Sequence, residues 1–241
     1  MLCKNERMVI LDFLEFIVKY YPYYLEGAKN TILIALFTVI LGTVVGTLLA
    51  LMRLSKNFIL KAISATYIEF IRGTPVYVQI LIIYFGLSQI GIEFPKAEWL
   101  DPVIGMNFSD FMSCVITLSI NSAAYVAEIV RAGIQAVDKG QMEAARSLGM
   151  SKSLAMKQII LPQAIKNILP ALGNEFVTVI KESSIVAVIG IADLMFKAKI
   201  ISGKNAMPFM PYIVVAIVYF ILTFTLSKLM GLLERRMKNS D

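Results

Sequence analysis

Apolar runs separated by short charged clusters dominate this chain, and one polar stretch interrupts the alternation at length. At about 20 residues per crossing helix, five runs are long enough to traverse a bilayer. They are residues 31–52, a second run ending near Leu87, then 108–130, 176–196 and 208–230. The polar stretch, 138–162, has a different period. Asp138, Lys139 and Gly140 break the preceding apolar run, and residues 141–148 read as a short helix of good formers. Gly149 ends that helix, and Ser151 caps a second one, in which Leu154, Lys157, Gln158 and Leu161 keep a helical spacing. Pro162 removes the next donor and is expected to stop it.

Each run carries its own marks. Asp12, Glu15 and Lys19 recur at helical spacing among apolar residues, which excludes a cleavable signal and predicts either an amphipathic interfacial helix or an extension of the next span by its first turns. A turn at Tyr21-Pro22 and a tyrosine belt (Tyr20, Tyr21, Tyr23, Tyr24) are expected to end this N-terminal segment, residues 1–24. In the first span Gly42, Gly46 and Ala50 form a small-residue stripe for close helix packing. The second is broken at Arg72-Gly73-Thr74-Pro75: Thr74 reads as an N-cap and Pro75 as the first residue of a new helix, with Gln79 a turn further on. The break is either a simple helix start or a donor-rich N-terminus open to an anionic group.

Residues 90–107 form an external loop. In the third span Asn121, Tyr125 and Glu128 fall on one helical face. Glu128 either lines a path or pairs with Arg131 one turn on. The fourth span contains Lys181 and Glu182, adjacent charges that must face a pore, a partner or each other's helices, and a short lysine-bearing loop follows it.

Composition narrows the class. With 58% hydrophobic residues in 241 and a mean hydropathy of +0.73, the chain reads as one integral membrane domain, all-α, of about five transmembrane helices. The net charge of +6 sits between apolar runs without an aromatic-interleaved basic patch, so nucleic acid is not implied as a partner. Fourteen basic residues fall on one side of the alternating spans and eight on the other, with Lys181 left out. The richer side is cytoplasmic by the positive-inside rule, placing the N-terminus outside and the C-terminus inside, although four basic residues before the first span oppose it. Cys3 and Cys114 make no paired spacing, there is no histidine, and no GxxxxGK[ST] loop occurs. A disulfide framework, the usual metal sites, a Ser-His triad and phosphate-loop ATP hydrolysis are therefore not indicated.

The order Glu143-Ala144-Ala145, three residues, Gly149, nine residues, Ile159, one residue, Leu161-Pro162 resembles the EAA loop of ABC-importer permeases. The run from Arg72 to Gln79 and the segment from Asn121 to Arg131 are similar to segments of permeases for polar amino acids. The resemblance covers essentially the whole chain and implies a type I importer fold. It implies that the 138–162 loop is a cytoplasmic helix-turn-helix docking a separate ATPase subunit through Glu143, Ala144, Ala145, Gly149, Ile159, Leu161 and Pro162. It further implies a second permease chain, identical or homologous, and an extracytoplasmic solute-binding protein, in the inner membrane of a bacterium. ATP and magnesium would bind the partner ATPase, leaving this chain without a cofactor and without an enzymatic activity of its own.

Substrate-path candidates are Arg72, Gly73, Thr74, Gln79, Asn121, Tyr125, Glu128, Lys181 and Glu182, with Glu128 expected to meet an ammonium group and the turn at Thr74-Pro75 a carboxylate. Two other classes fit the bare composition. An ion-coupled secondary transporter would use Glu128 with Lys181 and Glu182, and a membrane scaffold would need no path at all.

Overall fold

The computed structural model describes residues 2–205 and 208–238, with side chains from Phe13 onward up to Met237. The side chains of Cys3 and Asp12 lie outside the described residues, as do Met1, 206–207 and 239–241 of the expected domain.

Helix α1 runs without a break from Leu2 to Leu54. The turn expected at Tyr21-Pro22 is absent: Pro22 lies inside the helix, where tertiary packing outweighs one lost backbone bond. Phe16, Tyr24 and Ala28 are buried in a cluster with Leu194, Ala198, Ile201, Val214 and Val215, so the described side chains of the N-terminal segment pack against the end of the chain. The tyrosine belt is split accordingly, Tyr24 buried and Tyr21 exposed. At about 1.5 Å per residue α1 is far longer than an apolar bilayer core of about 30 Å.

Helices α2 (Phe58–Arg72) and α3 (Val76–Gln89) meet at 106° across residues 73–75. A short helix α4 (Asp101–Ile104) lies within the loop before α5 (Phe108–Gln135), whose first turn is capped by Asn107 Oδ1 accepting from Ser109 N at 2.9 Å. The small-residue stripe of α1 packs on α5. A Cβ at Gly46 would stand 2.7 Å from the Ala123 carbonyl and from Val126 Cβ, and one at Gly42 would stand 3.0 Å from Ser122 Oγ. Such closeness matters where lipid removes the hydrophobic drive between helices and leaves packing to hold them.

The polar elbow follows as α6 (Lys139–Ser147) and α7 (Lys152–Ala155), then a π turn at Met156–Ile160 leading into α8 (Leu161–Glu182). Pro162 does not end this helix. The wide turn lets Leu161 N donate to Met156 O, and Gln163 Nε2 donates to Ile159 O at 2.9 Å, so the ladder is rejoined around the missing donor. The expected span 176–196 is not one helix. It is the end of α8, a 3-10 segment Ser183–Ile189, and Gly190 in the left-handed region at φ +86°. The lysine-bearing loop expected after it is helix α9 (Leu194–Asn205), started by Asp193 Oδ1 accepting from Phe196 N at 2.7 Å. Helix α10 (Met210–Lys238) closes the described chain.

Among the described residues, three helices are long and apolar enough to cross a membrane, those within Phe13–Leu54, Phe108–Gln135 and Met210–Met237. The bent α2–α3 pair makes a fourth.

Candidate functional site

The elbow is built by ordinary capping chemistry. Asp138 Oδ1 accepts from Gly140 N at 2.7 Å to start α6, and at its end Leu148 N and Met150 N donate to Ala144 O and Ala145 O, each at 3.1 Å. Gly149 carries φ +83° in that closure, a conformation that a residue with a Cβ adopts only under strain. Ser151 Oγ then accepts from Leu154 N at 3.2 Å, the cap expected from the sequence.

The seven expected docking residues do not share one outward surface. Glu143, Ala144, Gly149, Leu161 and Pro162 are exposed and Ile159 is half-buried. Ala145 is only 2% exposed, because α6 folds back onto α7 and the π turn. A bulky residue there would disturb this chain before it touched another. The residue sequence reasoning passed over is Leu148, 84% exposed at the crest of the elbow. Its signal was available, a leucine directly before a turn glycine in an otherwise polar stretch.

The second candidate site is the α2–α3 bend. Thr74 is not the side-chain N-cap of α3. Its hydroxyl turns back and donates to Phe70 O at 3.0 Å, closing α2, while Pro75 takes the cap position with φ −63° and ψ 133°. At Gly73 a Cβ would come 2.9 Å from Glu69 O, so the glycine admits the neighbouring carbonyl that its own N–H binds at 2.9 Å. Gln79 ties the bend together: its Nε2 donates to Ile71 O and Thr74 Oγ1, both at 2.7 Å, and its Oε1 accepts from Asn121 Nδ2 at 2.9 Å. A buried polar seam therefore joins α3 to α5.

Along α5 the expected face changes character. Asn121 is buried in the seam, whereas Tyr125 lies under the Arg72 guanidinium, 5.5 Å from ring centroid to Cζ. Glu128 is engaged by Arg131, whose Nε lies 3.1 Å from Glu128 Oε2 and whose Nη1 donates to Gln135 Oε1 at 2.7 Å. Lys181 is exposed and Glu182 half-buried at the end of α8. Among the described residues, Glu128 is held by Arg131 and neither member of this pair bonds to it.

Two buried acids had no place in the sequence reading. Glu175 on α8 is 8% exposed and accepts from the Ser122 hydroxyl at 2.7 Å. Asp193, fully buried, starts α9 and takes the Tyr219 hydroxyl at 3.4 Å. A spacing would have flagged the first: Glu175 lies seven residues before Glu182, two helical turns away on the same face.

The model of the family described as binding-protein-dependent transport system inner membrane component matches residues 42–239. The chain belongs to that family. This inner-membrane component is 41% identical over 227 residues to a putative glutamine transport system permease protein of Rickettsia typhi, covering 93% of this chain and 98% of the relative. It is 39% identical over 220 residues to the arginine transport system permease protein of Bacillus subtilis, covering 91% and 94%. A chain in the crystal structure of an amino acid ABC transporter with histidines superposes with a TM-score of 0.84 at 50% identity, covering 93% of this chain and 98% of that one. The inward-facing MetNI methionine ABC transporter superposes with a TM-score of 0.71 at 17% identity, a likeness of fold alone. The expected permease of an ABC importer is thus in place, and the secondary-transporter and scaffold readings are set aside.

Proposed function

We propose that this permease subunit moves a polar amino acid inward at the expense of ATP hydrolysed on a separate subunit. The elbow at 138–162 carries the proposal. It is a rigid, polar, doubly capped projection whose exposed crest is a leucine next to a glycine-locked turn. Leu148, with Leu154 and Leu161 also exposed on the elbow and Glu143 and Ala144 beside it, is suited to fill a pocket on another protein.

The substrate class comes from the glutamine and arginine systems named for the relatives, both polar amino acids. The path runs beside the α2–α3 bend, walled by Gly73, Thr74, Gln79 and Asn121, with Arg72 and Tyr125 at its more open end. Glu128, with its charge met by Arg131, orders that end, while Lys181 and Glu182 stand apart from it at the end of α8. A second permease chain completes the pathway and a solute-binding protein feeds it. The elbow and the C-terminus face the cytoplasm, and the N-terminus lies outside.

The test is uptake of labelled glutamine and arginine into vesicles holding the co-purified complex, with its binding protein on the loading side. Uptake should require ATP, magnesium and the ATPase subunit, and should survive collapse of proton and sodium gradients. Uptake that follows an ion gradient without ATP would overturn the proposal.

A further inference from the structure

Helix α10 carries two cations with no acid to meet. Lys228 and Arg235 are both exposed, and among the described residues neither forms an ion pair. Seven residues apart, they share one face of the helix at a separation of about 10 Å along its axis. Gly231 lies between them with open space where a side chain would stand, so the two long side chains flank a notch. Glu234, the acid of this stretch, turns away into the cavity that it shares with Lys166 and Asn167.

The depth of the notch says what fills it. At about 1.5 Å per residue α10 exceeds an apolar bilayer core of about 30 Å by roughly two turns, so its last residues stand at headgroup level. On the membrane side of the notch the same face continues as an exposed apolar track of Ile217, Phe220 and Phe224, the two rings stacked with centroids 5.5 Å apart. Lys228 Nζ lies over the Phe224 ring, 5.4 Å from its centroid, where the track meets the charges. An open groove of about 490 Å³ joins Phe224, Lys228, Gly231 and Arg235. Apolar track below and paired cations above is the layout that a phospholipid complements, with an acyl chain on the rings and the phosphate between ammonium and guanidinium. A second copy of this chain seated on the same face by two-fold symmetry would bring the cations against their own likeness, so charge favours an anion over a copy.

We infer that this face of α10 holds an anionic phospholipid, its phosphate taken between Lys228 and Arg235 over Gly231. A zwitterionic phospholipid also has a phosphate, but its own ammonium cancels the charge that the two protein cations require. Because Glu234 and Met237 border one cavity with Asp138, the lipid lies in the leaflet on the side of the elbow. The site is independent of which solute the permease moves.

The test is native mass spectrometry of the purified permease–ATPase complex, titrated with phosphatidylglycerol or with phosphatidylcholine of the same chains. Wild type should bind phosphatidylglycerol more tightly. Lys228→Gln and Arg235→Gln should each weaken it about fivefold, and together they should abolish the preference. Gly231→Leu keeps both charges and should also weaken it by filling the notch. Lys56→Gln, which removes an exposed cation between α1 and α2, should change nothing. Equal binding of the two lipids by wild type, or an unchanged phosphatidylglycerol affinity in the double variant, overturns the inference. Displacement of phosphatidylglycerol by an equal concentration of inorganic phosphate overturns it in favour of a simple anion site. A changed number of permease chains, or loss of the ATPase, in a double variant that still binds the lipid normally overturns it in favour of a protein-covered face. If Gly231→Leu does not assemble, the double variant decides.

Discussion

Asn121 donates from Nδ2 to Gln79 Oε1 at 2.9 Å, and through that bond the bent α2–α3 pair is fastened to α5. Gln79 also binds carbonyls and a hydroxyl across the break, so the same side chain fixes both the bend and its partner helix. Gln79→Leu should leave Asn121 Nδ2 without its partner in a buried place and take from Ile71 O its shortest donor, at a cost of about 1–3 kcal/mol. Thermal unfolding in detergent should fall accordingly. Adding Asn121→Leu should cost less than the sum of the two single changes, because both remove the same bond.

Leu148 and Ala145 separate docking from folding. Leu148→Ala should reduce co-purification of the ATPase subunit and leave the melting temperature of the permease unchanged, since the side chain is 84% exposed. Ala145→Leu should do the reverse first, lowering the melting temperature by overpacking a 2% exposed site, at about 1–3 kcal/mol.

Gly149 sits at φ +83° with open space around it, so what limits substitution there is backbone conformation rather than room. Gly149→Val should cost about 1–2 kcal/mol and Gly149→Asn less, because asparagine tolerates the left-handed region. Hydrogen exchange at Leu148 and Met150, whose amides close the turn, should speed up in that order.

Gly46→Val should separate α1 from α5, whereas Gly86→Ala, where nothing lies within 4 Å of an added Cβ, should be tolerated. Yield of folded protein after detergent extraction would report the difference. Equal yields would mean that the Gly46 crossing is not needed for the bundle.

The local elements were legible where capping chemistry is self-contained: Gly149 and Ser151 carry their turns in their own side chains or lack of one. Pro22 and Pro162 misled because a proline predicts a break only when nothing else supports the helix. At Pro22 packing against α9 and α10 supports it, and at Pro162 a π turn does. Thr74 misled for a related reason, since a hydroxyl at a helix junction has two helices to choose between and sequence spacing does not say which. The pairing of Glu128 with Arg131 was readable from a spacing of three. The pairing of Ser122 with Glu175 was not, because it spans 53 residues and depends on how α5 and α8 lie against each other.

The π turn at Met156–Ile160 also preserves an angle. The wide i→i+5 turn, with Leu161 N reaching Met156 O, takes up one more residue than an α turn would and so absorbs it locally instead of passing it on as rotation. Deleting one residue from 156–160 would let the turn close to an ordinary α turn, with the Leu148 crest keeping its direction relative to α8.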